Sequence, residues 1–263
     1  MLDTSANNKR IAKNTLMLYF RMVLLLVISL YTSRVILREL GVDDYGVYNV
    51  VGGIIVILSF LNQAMASGTQ RFLNVEMGKN DQKAVNKVFA TSQQIHFGVS
   101  FCMFIIAETV GLWFLNNYMN IPEGRLGAAN WVYQFSIISA IFGVFTVPYN
   151  ATIISHEKMS AFAYISIVEA VLKLLVAFAI IWAPYDKLII YAVMIMLVSM
   201  INCVVYVNYG IKNFEECRHF TLKRNKLMMK QMLSFSGWTV FGNLGYILHT
   251  QGIAIVVNMF FTV

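Results

Sequence analysis

Seven long apolar runs dominate the chain, at roughly 15–37, 46–67, 88–115, 128–154, 161–182, 188–209 and 238–263. Each reaches the length of about 20 residues that a helix needs to cross a bilayer core about 30 Å thick. In hydrocarbon such a run must satisfy its own backbone N–H and C=O groups, so each is read as a helix and not a strand. Composition agrees. Of the 263 residues, 58% are hydrophobic and 13% charged, about half the charge carried by a typical soluble domain. The sequence therefore predicts an all-α polytopic membrane protein. With three cysteines and three prolines it is neither a disulfide-stapled secreted module nor a disordered chain. No cleavable signal peptide is expected, because the apolar stretch behind Lys9, Arg10 and Lys13 continues to Leu37 without a small-residue cleavage site.

The net charge of +7 does not point to nucleic acid, since the basic residues sit between apolar runs. Their placement predicts an orientation. With the N-terminus in the cytoplasm, Lys9, Arg10, Lys13, the Arg71–Lys87 flank, Lys158 and the Lys212–Lys230 flank all lie inside. Only Arg34, Arg38, Arg125 and Lys187 lie outside, as the inside bias of lysine and arginine requires. Cys102 and Cys203 fall within spans and Cys217 in a cytoplasmic segment. All three are read as packing residues.

Three parts are expected: a six-helix transmembrane lobe over 1–210, a cytoplasmic amphipathic linker over 211–236, and the first helix of a second lobe over 237–263. In the linker, Lys223, Lys226 and Lys230 share one helix face, opposite Leu222, Met229, Met232 and Leu233. Such a helix lies on the inner leaflet with its lysines toward anionic headgroups, or packs on protein. The seventh run stops at Phe260-Phe261-Thr262-Val263. A bare carboxylate is costly within a bilayer, so the chain reads as a fragment that lacks its C-terminal lobe. Two-repeat transporters place their substrate between such lobes.

No G-x-x-x-x-G-K-[ST], H-E-x-x-H, C-x-x-C or G-x-S-x-G motif occurs, and His96, His156, His219 and His249 are scattered. No enzymatic activity, catalytic residue, cofactor or metal is expected. The signal lies in polar stripes at helical spacing: Asn14, Arg21, Ser29 and Thr32; Asn49, Gly53, Ser59, Gln63, Ser67 and Gln70; Ser92, His96 and Ser100; Thr239, Asn243, Tyr246 and Thr250. A polar stripe in a bilayer meets another helix or water. Four of them favour a hydrated cavity, with Ser29, Asn49, Gln63, His96 and Asn243 as lining candidates. Each charge in mid-membrane costs about 2.5 kcal/mol or more. Glu169 and Lys173 stand at i, i+4, either as a self-neutralising pair or as a functional one. Glu108 has no basic partner in its own helix, and Arg21 either snorkels to the headgroups or serves a site.

Several local motifs bear a resemblance. Arg38-Glu39-Leu40-Gly41-Val42-Asp43-Asp44-Tyr45-Gly46-Val47-Tyr48 joins the first two spans, and Ser67-Gly68-Thr69-Gln70-Arg71 ends the second. Pro148-Tyr149-Asn150, His156-Glu157-Lys158 and Ser234-Phe235-Ser236-Gly237-Trp238 follow. Together they resemble the N-terminal half of bacterial polysaccharide and O-antigen flippases, in the multidrug/oligosaccharidyl-lipid/polysaccharide exporter superfamily. That resemblance implies a truncated MATE-like fold in the bacterial inner membrane. It also implies a flippase for polyprenyl-diphosphate-linked oligosaccharide, serving cell-surface polysaccharide export. An anionic headgroup would then meet Arg21, Arg34 and Lys173. Cation-coupled multidrug antiporters share the fold and are the alternative, with Glu108 and Glu169 as coupling-ion candidates. A membrane glycan polymerase or ligase fits less well, because the outside loops are short.

Overall fold

The computed structural model describes residues 4–122, 124–218 and 225–242, which are overwhelmingly helical and contain no strand. Five helices are long and apolar enough to cross a membrane: Ile11–Ile55, Gln82–Tyr118, Leu126–Ser155, Met159–Trp182 and Lys187–Asn213. A further helix covers 226–242. The rest of the seventh apolar run, including Asn243, Tyr246 and Thr250, lies outside the described residues.

The first helix, α1 (Thr4–Gly78), is 75 residues long and breaks at Gly41, where φ is 79° and ψ is 174°. That conformation is essentially restricted to glycine, because any Cβ would be strained in it. Contacts on either side show that the chain reverses there. In the first arm, 4–40, Arg21 reaches Ser166 and Tyr31 lies 6.1 Å from Phe178. In the second arm, 42–78, Tyr48 meets Tyr191 at 4.9 Å and Thr69 bonds to Ser92 at 2.8 Å. The first arm thus runs parallel to the helix that holds Ser166 and Phe178, and the second arm returns. The connection expected over 38–48 is almost entirely helix, folded at one residue.

The return leads through a tight turn, with Asn80 at φ 56°, into α2 (Gln82–Ile106), whose N-terminus is capped by Asp81 accepting from Ala84 N at 3.0 Å. A π-helical segment, Ala107–Gly111, then connects to α3 (Leu112–Tyr118). Its cause is visible: the buried Tyr133 hydroxyl donates to Ala107 O at 2.8 Å and presses against Gly111. Helices α4 (Leu126–Ser155), α5 (Met159–Ala179) and α6 (Lys187–Asn213) complete the bundle, and 226–242 forms α7.

α7 continues through 236 and 237 without interruption. Leu222 and Lys223 lie outside the described residues; of the rest of the expected apolar face, Met232 is buried and Met229 leans on the same core, while Leu233 is exposed at 45%. Gly68 admits this helix, since a Cβ there would stand 2.6 Å from Ser236 Oγ, and Arg71 caps the Phe235 ring at 4.4 Å.

Apolar packing divides into two clusters. One, at the Gly41 end, gathers Val51, Leu115, Val132, Tyr133, Ile180 and Leu188. The other, at the Asp81 end, gathers Leu73, Val88, Phe89, Ile153, Tyr206 and Met232.

Two glycines are indispensable by this geometry. Gly41→Ala should lower stability by about 1–3 kcal/mol through strain, and Gly111→Ala by about 1–3 kcal/mol, because the new methyl would stand 2.0 Å from the Tyr133 oxygen. Gly53→Ala, with nothing within 4 Å of its would-be Cβ, should leave the melting temperature of the purified protein unchanged or raised.

Candidate functional site

From the edge of the Asp81-end cluster toward the other, the first arm, α5 and α6 bring a set of polar groups together. Arg21 Nη1 donates to Ser166 Oγ at 3.4 Å, and its guanidinium lies 4.5 Å from the centre of the Phe162 ring. Its Nε is buried without a partner. Ser166 Oγ itself donates to Phe162 O at 2.8 Å. One turn further along α5, Glu169 accepts from Lys173 Nζ at 2.6 Å and from Asn202 Nδ2 at 2.9 Å. Lys173 therefore stands between the Arg21–Ser166 contact and the Tyr31–Phe178 contact. Beyond Tyr31, Arg34 is exposed, and with Tyr31 and Arg38 it lines a hollow of about 480 Å³. Along the bundle axis the three expected cations thus come in the order Arg21, Lys173 and Arg34, although Arg34 stands about 140° round the helix from Arg21. They cover about 20 Å of helix axis, at 1.5 Å per residue.

The lining candidates separate. His96 is buried and borders a second cavity, of about 860 Å³, among α2, α4, α6 and α7. Its stripe is an internal zipper: Ser92 Oγ pairs with Thr69 Oγ1 at 2.8 Å, and Ser100 Oγ donates to His96 O at 2.8 Å. Ser29 is exposed and returns its hydroxyl to Leu26 O at 2.9 Å. Asn49 and Gln63 are exposed on the second arm. These three face away from the packed interior, so the structure does not gather them with His96 around one cavity. Asn243 and Ser59 cannot be compared, as Asn243 and the Ser59 side chain lie outside the described residues.

Glu108 stands in the π-helical segment. Its Oε2 accepts from Gln134 Nε2 at 3.2 Å, while its Oε1 is buried without a partner. Glu108 and Glu169 therefore occupy different sites.

Two polar networks at the ends were missed by reading the sequence. At the Gly41 end, Arg125 donates to Asp44 at 2.7 Å and to Asp186 at 2.6 Å, tying the second arm, α4 and α6 together. Asp186 also caps α6 through Leu188 N and Ile189 N. Burial raises the Asp186 pKa, but hydrogen bonds from Arg125 and the Ile189 amide outweigh it and hold the carboxyl below its ordinary value. At the Asp81 end, Glu216 is buried at 2% exposure, accepting from His156 Nε2 at 2.6 Å and Gln82 Nε2 at 3.3 Å. Burial again raises its pKa, and the His156 hydrogen bond and further bonds bring it below the usual 4.5. Beside it, burial pushes the Cys217 thiol up to about 12, consistent with a packing residue. Helix spacing could not reveal either network, because the partners are separated by 60 to 134 residues.

Among the described residues no group of three or more His, Cys, Asp or Glu side chains could hold a metal. The chain matches no protein-family model, no curated protein and no solved structure.

Two outcomes test the end networks. Arg125→Ala should destabilise by about 2 kcal/mol or more, since it leaves two carboxylates without their donor, and Arg125→Lys should recover only part of this. Glu216 binds its proton less readily when folded than when unfolded. Its contribution is therefore complete above the unfolded value near 4.5 and lost as pH falls through the lower folded value. Melting temperature measured against pH should decline on that acid limb, and Glu216→Gln should flatten the decline while lowering stability at neutral pH.

Proposed function

We propose that this bundle is a lobe of a membrane flippase that passes an anionic, lipid-linked oligosaccharide across the bacterial inner membrane. The supporting observation is Arg21, whose Nε is buried without a partner, with Lys173 and Arg34 following at successive levels along the bundle axis. Unpaired guanidinium capacity inside an apolar bundle is expensive, and a diphosphate is the kind of group that would use it. Arginine pairs with phosphate oxygens through parallel N–H bonds. Glu169 offsets only part of the positive charge and holds Lys173 in place through its bond. The exposed amides of Asn49 and Gln63 on the adjoining arm give sugar hydroxyls partners outside the packed interior. In this reading the lobe is one of two in a MATE-like arrangement. Its six crossings are the two arms of α1, α2 with α3, α4, α5 and α6.

A cation-coupled drug antiporter is the second reading, favoured by one observation: the buried, unpartnered Oε1 of Glu108 beside a π-helical segment, a local geometry frequent at functional sites. The two readings separate by mutation. In the full-length protein, Arg21→Ala should reduce surface glycan per inserted copy about tenfold or more, with Arg21→Lys intermediate. Export at the unmutated level by Arg21→Ala would remove this arginine from the anion path. Glu169→Gln should be milder. Glu108→Gln should abolish ion-driven drug efflux if the second reading is right, and leave glycan export intact if the first is.

The orientation belongs to the same proposal. Cysteines introduced at Asn80 and Lys226 should react with impermeant maleimide only from the cytoplasm, and one at Asn117 only from outside. Reaction of residue 226 from outside would reverse the transport direction.

A further inference from the structure

The cavity of about 860 Å³ among α2, α4, α6 and α7 contains none of the proposed anion-path residues. Its walls are apolar and aromatic, with Phe97, Val99, Phe142 and Phe145 toward mid-bundle and Val207 nearer the Asp81 end. Its polar groups collect toward the Asp81 end. There Gln93 Nε2 donates to Tyr149 Oη at 2.8 Å, and His96 stands one turn deeper. His96 is 1% exposed, yet its Nε2 has no partner. Its Nδ1 lies 2.7 Å from Ser92 O. A carbonyl can only accept, so Nδ1 carries the proton and Nε2 of the neutral ring offers a lone pair. Gln93 Oε1 is likewise buried and unpaired.

An unpaired acceptor buried at the polar edge of an apolar chamber calls for a donor. Water does not fill such a space well, because each molecule needs two to four polar partners and most of these walls offer none. The volume lies within the range of sites that enclose small ligands, about 300–1,000 Å³. Phe97 and Leu233 border the cavity and are exposed on the outer surface of the bundle, at 66% and 45%, so a mouth faces the surroundings of the helices. We propose that this cavity binds a neutral single-chain lipid, which enters sideways with its chain toward Phe142 and Cys102 and donates a head hydroxyl or amide hydrogen to His96 Nε2.

The test uses the full chain in phosphatidylcholine nanodiscs with a long-chain fatty alcohol carrying a mid-chain diazirine. Its O-methyl ether, which has no donor, is the paired probe. After irradiation, adducts mapped by mass spectrometry should concentrate in 97–102, 142–149 and 203–207, and the alcohol should label these about fivefold more than the ether, the factor expected for one hydrogen bond. His96→Leu should bring the alcohol down to the ether's level. Val207→Trp leaves His96 in place but fills the chamber, and should abolish labelling with both probes. Adducts spread evenly over exposed positions such as Leu26 and Leu30, equal labelling by the two probes, or undiminished labelling of Val207→Trp would each overturn the proposal. If His96→Leu fails to fold, the alcohol-to-ether ratio in the unmutated protein and the Val207→Trp result still decide it.

Discussion

Arg125 holds carboxylates from two different helices with one guanidinium, and the geometry of the Gly41 end follows from that clamp. Asp44 lies just past the reversal in α1, and Asp186 stands at the first turn of α6. Drawing both onto Arg125, the residue before α4, sets three helix ends at one level. The neighbouring Glu39–Lys187 contact at 3.3 Å adds the first arm to the same level. Side chains below are then brought into register, so that Tyr48 meets Tyr191 and Tyr133 reaches Ala107. Bidentate arginine suits this role, because a planar fork fixes direction as well as distance.

The polar waist and the two apolar clusters show how a helical bundle carries charge through a hydrophobic interior. Each charged or amide group there is anchored by a neighbour on another helix or one turn away: Arg21 on Ser166 and Phe162, Glu169 on Lys173 and Asn202, Glu108 on Gln134. Among the buried polar atoms left without a partner are Arg21 Nε, Gln93 Oε1, His96 Nε2 and Glu108 Oε1. In a medium where unpaired polar atoms are costly, such atoms mark where ligands or ions have most to gain by binding.

Much of the fold was legible because a bilayer-length apolar run has few alternatives to helix, and the expected spans at 128–154, 161–182 and 188–209 sit inside α4, α5 with the single turn Ile180–Trp182 that follows it, and α6. The reversal at Gly41 was not, since a left-handed glycine inside helical sequence looks the same as any other glycine. The π-helical segment also escaped, because its cause, Tyr133, lies on another helix. At the candidate site, the i, i+4 pairing of Glu169 and Lys173 was readable from spacing alone. The docking of Arg21 on Ser166 was not, as it depends on which helices become neighbours. The His96 stripe was real, but its serines face Thr69 and the helix's own backbone, which spacing cannot distinguish from facing water.

The first arm of α1 contributes few buried side chains, with Leu16, Tyr19, Phe20, Met22, Val23 and Leu26 all more than half exposed, while the second arm is rooted in both apolar clusters. Pulled from its N-terminus, the chain would resist unevenly. Residues ahead of Gly41 would peel away once the Arg21, Tyr31 and Glu39 contacts gave, and extraction would then halt at the Arg125 clamp. Gly41 is thus a mechanical boundary as well as a bend, separating a weakly held strip of the molecule from the part whose loss would take the whole bundle with it.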